Sequence, residues 1–136
     1  MLEFHDPIPE IAQRKCTGLI AQEYWYQGEQ ITEANVMFLQ LEDGMWHRFF
    51  VDAGVVFWKT VAVPDPPGED RDHRYPHTDI GAVHGVLGRR LSSVSAVEVP
   101  NGCEIRLEFE GDKSVILHNA DDRSQLLLVP GDPRAR

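Results

Sequence analysis

The stretch VMFLQLEDGMWHRFFVD, residues 36–52, decides the fold. Met37, Leu39 and Leu41 alternate with Phe38, Gln40 and Glu42, the period of two that gives a strand one apolar face. Asp43-Gly44 follows, two residues that tolerate positive φ, and MWHRFFV then returns as a partner strand. The reading is a β-hairpin. GVVFWKTVAV extends it, β-branched and aromatic, with Gly54 marking a short turn or bulge after Asp52.

Residues 64–78, PDPPGEDRDHRYPHT, are Pro-rich, charged and almost without aliphatics, and read as a long surface loop rather than an element. DIGAVHGVLGRRL holds one helical turn or a short helix, weakened by Gly81, Gly85 and Gly88. A second strand set follows. LSSVSAVEV is a strand, Pro100-Asn101-Gly102 a turn, EIRLEFE a strand turning Ile105, Leu107 and Phe109 inward. Gly111-Asp112 turns again, SVILHN returns, and LLLV at 126–129 makes a last short strand. Residues 1–10 and 129–136 read as terminal extensions.

The two sets lie over each other. RKCTGLIAQE, residues 14–23, matches RRLSSVSAVE, residues 89–98, at basic, small-polar, aliphatic, alanine and glutamate positions, and MFLQLEDG follows the pattern of IRLEFEGD. The expectation is a single domain, 1–136, with pseudo-repeat halves 11–63 and 86–129 joined by the Pro-rich segment 64–79. The expected class is mainly β, with α+β as the alternative. Its antiparallel meanders form two similar halves, packed as a sandwich or small barrel, because a lone sheet leaves an apolar face wet and its edges exposed.

Length and composition bound the function. The chain has 136 residues, 42% hydrophobic and 26% charged, enough to bury a core without disulfides or metals. Thirteen basic against 22 acidic residues give a net charge of −9. That field repels nucleic acid and anionic membranes, so neither is an expected partner, and it favours a basic protein. The longest apolar runs, such as GVVFW, fall far short of the roughly 20 residues of a membrane helix. The N-terminal residues carry no secretory pattern, and Cys16 and Cys103 lack CxxC spacing, so a cytoplasmic location is expected.

No stretch carries a catalytic motif. There is no GxSxG around Ser92, Ser93 and Ser95, no GxGxxG and no P-loop, so neither an enzyme nor a cofactor is expected. Cys16 reads as a small buried hydrophobe, and Cys103, beside a turn, as a position open to exposure with only Arg106 nearby to activate it. Asp70, Asp72, His73, His77 and Asp79 form the densest group of ligand-type side chains, with His73, His77 and Asp72 the weak metal candidates; a solvated charged loop is the plainer reading.

The aromatics say more. Tyr24, Trp25 and Tyr26 are consecutive, so on a strand they project to both faces and at least one reaches a surface. With Glu23, Glu29 and Glu33 they make the candidate binding surface, toward a basic protein or a second copy in a homodimer. In size, charge and β content the chain is similar to the small acidic immunity proteins that neutralise bacterial toxins by offering carboxylates to a basic active site. That similarity implies a protein–protein inhibitor. Two alternatives stand beside it: a ligand-binding or enzymatic barrel using His47, His84 or His118, and a structural homo-oligomer joined through strand edges.

Overall fold

The computed structural model describes residues 2–131. Its strands are β1 (Glu3–Phe4), β2 (Cys16–Tyr26), β3 (Glu29–Leu41), β4 (Trp46–Asp52), β5 (Val55–Val61), β6 (Gly68–Glu69), β7 (His73–Tyr75), β8 (His77–Asp79), β9 (Leu91–Val99), β10 (Gly102–Phe109), β11 (Lys113–Ala120) and β12 (Arg123–Val129). One short helix, α1 (Ile80–His84), lies between β8 and β9. The strands form an eight-stranded sheet ordered β1-β5-β4-β3-β2-β7-β6, with β8 also on β2, and a four-stranded sheet ordered β12-β11-β10-β9. Every ladder is antiparallel except β1 on β5.

The protein is therefore mainly β, and its two sheets pack face to face. Met37, Leu39 and Leu41 of β3, Phe49 and Val51 of β4, and Val56 and Trp58 of β5 meet Ile105, Leu107 and Phe109 of β10 and Val115 and Leu117 of β11 in one core. The alternation read in residues 36–52 and in β10 is the cause of this arrangement. Phe49 stacks on Trp58 with ring centroids 4.5 Å apart.

Two seams join the sheets. Along one, Gln13 and Arg14 exchange backbone bonds with Leu91, Cys16 N–H donates to the Arg89 carbonyl, and Lys15 bridges Arg90. Both strands that begin there carry a register irregularity at the same place. It falls between Cys16 and Gly18 in β2 and opposite Glu108 and Phe109, between Leu91 and Ser93, in β9. Along the other seam Thr32 Oγ1 donates to the Ser124 carbonyl at 2.7 Å, and Glu33 Oε1 accepts the Leu126 N–H at 2.8 Å. Those two side chains cap the outer edge of β12, an unpaired row that a sheet otherwise offers to any passing strand.

Residues 64–78 are not the plain loop the composition suggests. The chain leaves β5 and reaches the far side of β2, three strands away, so residues 62–67 cross the outer face of the larger sheet. Arg48 Nε pins that crossing through Asp65 at 3.1 Å. Beyond it β6, β7 and β8 form on the open edge of β2, with Glu23 N–H donating to the Pro76 carbonyl between them. The physical reason is the free edge of β2, whose backbone groups recruit even a Pro-rich segment.

Two further expectations change. Residues 1–10 are not a bare extension: β1 lies on β5, His5 stacks on Phe57 at 4.8 Å, and Leu2 and Ile8 pack against the core. In the other extension, residues 132–136 lie outside the described residues. Cys103 is not exposed but buried at 1%, since β10 begins at Gly102 and turns the thiol inward. Cys16 is buried as expected, and burial pushes its thiol up to about 11. No helix is long and apolar enough to cross a membrane among the described residues.

Candidate functional site

The aromatic triplet sits where β2 meets the segment wrapped onto its edge. Tyr24 stacks on Tyr75 at 5.3 Å, Tyr26 tilts against His73 at 5.3 Å, and the Arg74 guanidinium lies 5.5 Å from the Trp25 ring centre. Of the three, Tyr26 is the exposed one, at 40%. Glu23 accepts from Trp25 Nε1, Gln30 Nε2 and Thr78 Oγ1 at 2.8–3.0 Å. Partial burial pushes that carboxyl up, but the three bonds outweigh it and hold the group below its ordinary range. Glu33 is spent on the β12 seam, while Glu29 stays exposed beside the β2–β3 turn. The expected surface is thus largely self-satisfied.

The histidines do not gather. His47 is buried against Trp58, whose Nε1–H donates to His47 Nδ1 at 3.0 Å. His84 shares its Nε2–H between the carbonyls of Ser114 and Val129. His118 lies on the outer face of the smaller sheet, its Nδ1 2.5 Å from Glu104 Oε2. Burial raises the Glu104 carboxyl, while Arg106 and His118 together lower it by more. In the Pro-rich segment His73 bonds Asp70 at 2.9 Å, and His77 faces the Phe38 ring. Among the described residues no three His, Cys, Asp or Glu groups are placed to hold a metal.

Burial lowers the proton affinity of both His47 and His77. A histidine held neutral in the fold contributes stability fully above its unfolded value, about 6.5. That contribution is lost as pH falls below 6.5 toward the depressed folded value. Melting temperature is therefore expected to drop from pH 7 to pH 5, before Glu23 and Glu104 protonate. His47→Gln keeps an acceptor for Trp58 without titrating, and should flatten part of this first decline. An unchanged slope in calorimetry across that window would contradict it.

A cleft lies elsewhere, and β3 makes it. Gln22 pairs with Val36, Tyr24 with Thr32 and Trp25 with Gln30, so β3 advances six positions (36 to 30) while β2 advances three (22 to 25). The surplus residues bend β3 away from β4, and the β3–β4 register ends at Met37–Phe49. β4 stays paired with β5 to Asp52, so a fork opens between the two strands. The cleft in the fork has a volume of about 620 Å³. Tyr24, Ile31, Val36 and Phe50 give it an apolar wall, while Asp52, Asp122, Arg48 and Arg123 provide balanced charge.

Asp122 also lines a second depression, of about 500 Å³. Three turns converge there: Ala53-Gly54, Pro100-Asn101 and Asp121-Asp122. Asp121 and Asp122 hold φ of 53° and 59°, the left-handed region that Asp and Asn enter more readily than other non-glycine residues. Glu3, Glu98, Asp121 and Asp122 line the depression, and among the described residues no Lys or Arg does. Of the six residues expected at an interface, only Tyr24 lines this groove. The signal that locates the rest is topological. Alternate turns of a meander fall at the same end of the sheet, which brings the β9–β10 and β11–β12 turns together. Comparison with protein-family models, curated proteins and solved structures found no match.

Proposed function

We propose that this protein binds a basic protein partner through the groove that runs from the β3–β4 fork into the acidic end. The carrying observation is that Asp122 lines both a cleft with an apolar wall and a depression that, among the described residues, is lined by four carboxylates and no Lys or Arg. An apolar wall supplies buried area, and an acidic end supplies orientation and fast encounter with a cationic surface. The net charge of −9 extends the same attraction beyond contact distance. In this reading the chain acts as small acidic immunity proteins do, by occupying a basic site on its target.

A short alternating Lys-Val peptide is the test ligand, with a Glu-Val peptide of equal length as control. Calorimetric titration should detect the Lys-Val peptide alone, with affinity falling as salt is raised. The double variant Asp121→Asn, Asp122→Asn removes two charges while keeping side chains that accept positive φ, and should weaken binding by about tenfold. Equal binding of the acidic peptide, or an unaffected variant, would overturn the proposal.

A further inference from the structure

Among the described residues, long strand edges are guarded, with one exception. β2 is covered by β7 and β8, and the outer edge of β12 is capped by Thr32, Glu33 and, at Val129, by His84. The edge of β5 carries β1 over Val55 and Val56, then Asp6 bonded to the Trp58 backbone, then the charge of Lys59. β9 is different. Gln13 and Arg14 occupy its first residue, Leu91, and Gln13 Nε2 reaches the Ser92 carbonyl. From residue 93 to 97 no neighbouring backbone pairs with the side facing away from β10, among the described residues.

That stretch has none of the features that blunt an edge. Residues 91–97, LSSVSAV, hold no charge and no proline, and the strand's register irregularity precedes Ser93. Half-buried Val94 and Ala96 pack toward the core at the rim of the sheet, leaving apolar surface there to cover.

We infer that a second copy of this chain adds to β9 along this edge, antiparallel, about a two-fold axis at Ala96, making one eight-stranded sheet from two four-stranded ones. The edge is self-complementary in that register. Ala96 meets Ala96, Ser95 meets Val97 of the second copy, Val94 meets Glu98, and Ser93 meets Val99. Each pair shares parity, so Val94 and Ala96 stay on the core side in both copies and Ser93 and Ser95 on the solvent side. Charge selects this edge as well. In a chain of net charge −9, two copies approach with least repulsion along an uncharged strand. Antiparallel pairing also sets the two Glu98 residues four positions apart along the joint, about 14 Å, which exceeds the screening length of about 8 Å at physiological salt. A foreign strand would gain the same backbone bonds, but only a second copy gains the matched faces by symmetry.

Light scattering after gel filtration, over a dilution series, measures the assembly. The wild-type chain should run as a dimer that dissociates on dilution. Ser95→Lys places two like charges beside the axis on the exposed face and should raise the dissociation constant at least tenfold, with an unchanged melting temperature for the monomer. In Ala96→Cys the only accessible thiols are the two at the axis, since Cys16 and Cys103 are buried. Mild oxidation should then cross-link it into a covalent dimer, because directly opposed residues lie within disulfide reach. A wild-type chain that stays monomeric throughout, or a dimer that survives Ser95→Lys and yields no Ala96→Cys cross-link, would overturn the inference.

Discussion

Phe38→Ala is expected to destabilise the fold by about 3–5 kcal/mol, the usual range for a fully buried Phe. The ring is wholly buried, yet it points away from the core shared by the two sheets. Its neighbours Met37 and Leu39 face that core, so Phe38 must face the other way. What covers it is the segment that crosses from β5, with His77 centred 6.0 Å from the ring. Removing the ring leaves His77 over a hole and the crossing held mainly by Arg48 and Asp65. Urea unfolding should show the loss in midpoint, and limited proteolysis should show earlier cutting within residues 62–79. A change below about 1 kcal/mol, the level of an ordinary surface substitution or little more, would mean that the crossing does not seal this face.

Gly102→Ala is the second large effect, and it arises from overpacking rather than a cavity. Gly102 opens β10 and sits opposite both Val99 and Ala120. A Cβ there would run into the carbonyl of Asn119 and crowd the Ala120 Cα, which are backbone and cannot rotate aside. β10 and β11 would have to separate at the end that carries the acidic depression. A loss of about 3 kcal/mol is expected, at the upper end of the range for inserted methyl groups. The same variant should weaken the Lys-Val peptide, because Asn101, Gly102 and Asp121 would shift together. Unaltered stability in thermal denaturation would show that this end of the hairpin is looser than its register implies.

The hairpin at residues 36–52 was legible because one face of each strand meets the core, which imposes a clean alternation on the residues. The second meander was legible for the same reason, through Ile105, Leu107 and Phe109. Phe38 was not. Alternation assigns it to solvent, and only the path of a distant, polar segment buries it. That segment misleads because its prolines and charges are those of a loop, while its backbone satisfies the edge of β2. The burial of Cys103 was not legible because the turn before it is tighter than its three residues suggest, so the strand begins at Gly102, two positions before Glu104. The groove was hidden for another reason. Its acidic end is assembled from β1, β9 and three turns, and its cleft from surplus residues in β3 whose number shows only in the register. The aromatic triplet was conspicuous, but most of its contacts lie with β7 of the same chain.

The seam between β3 and β12 also bears on how this chain comes to be folded. Thr32 and Ser124 are 92 residues apart, and Glu33 and Leu126 are 93. Loops of that size carry a large closure entropy, and two hydrogen bonds made by side chains do little to offset it. Each meander, by contrast, closes through turns of a few residues and gains its backbone ladder at once. Assembly is therefore expected to proceed from hairpins to sheets, with the seam among the last bonds to form. Until it does, the edge of β12 stands open in a nascent chain. Thr32 and Glu33 thus close the edge that a newly made molecule would otherwise offer to a wrong strand.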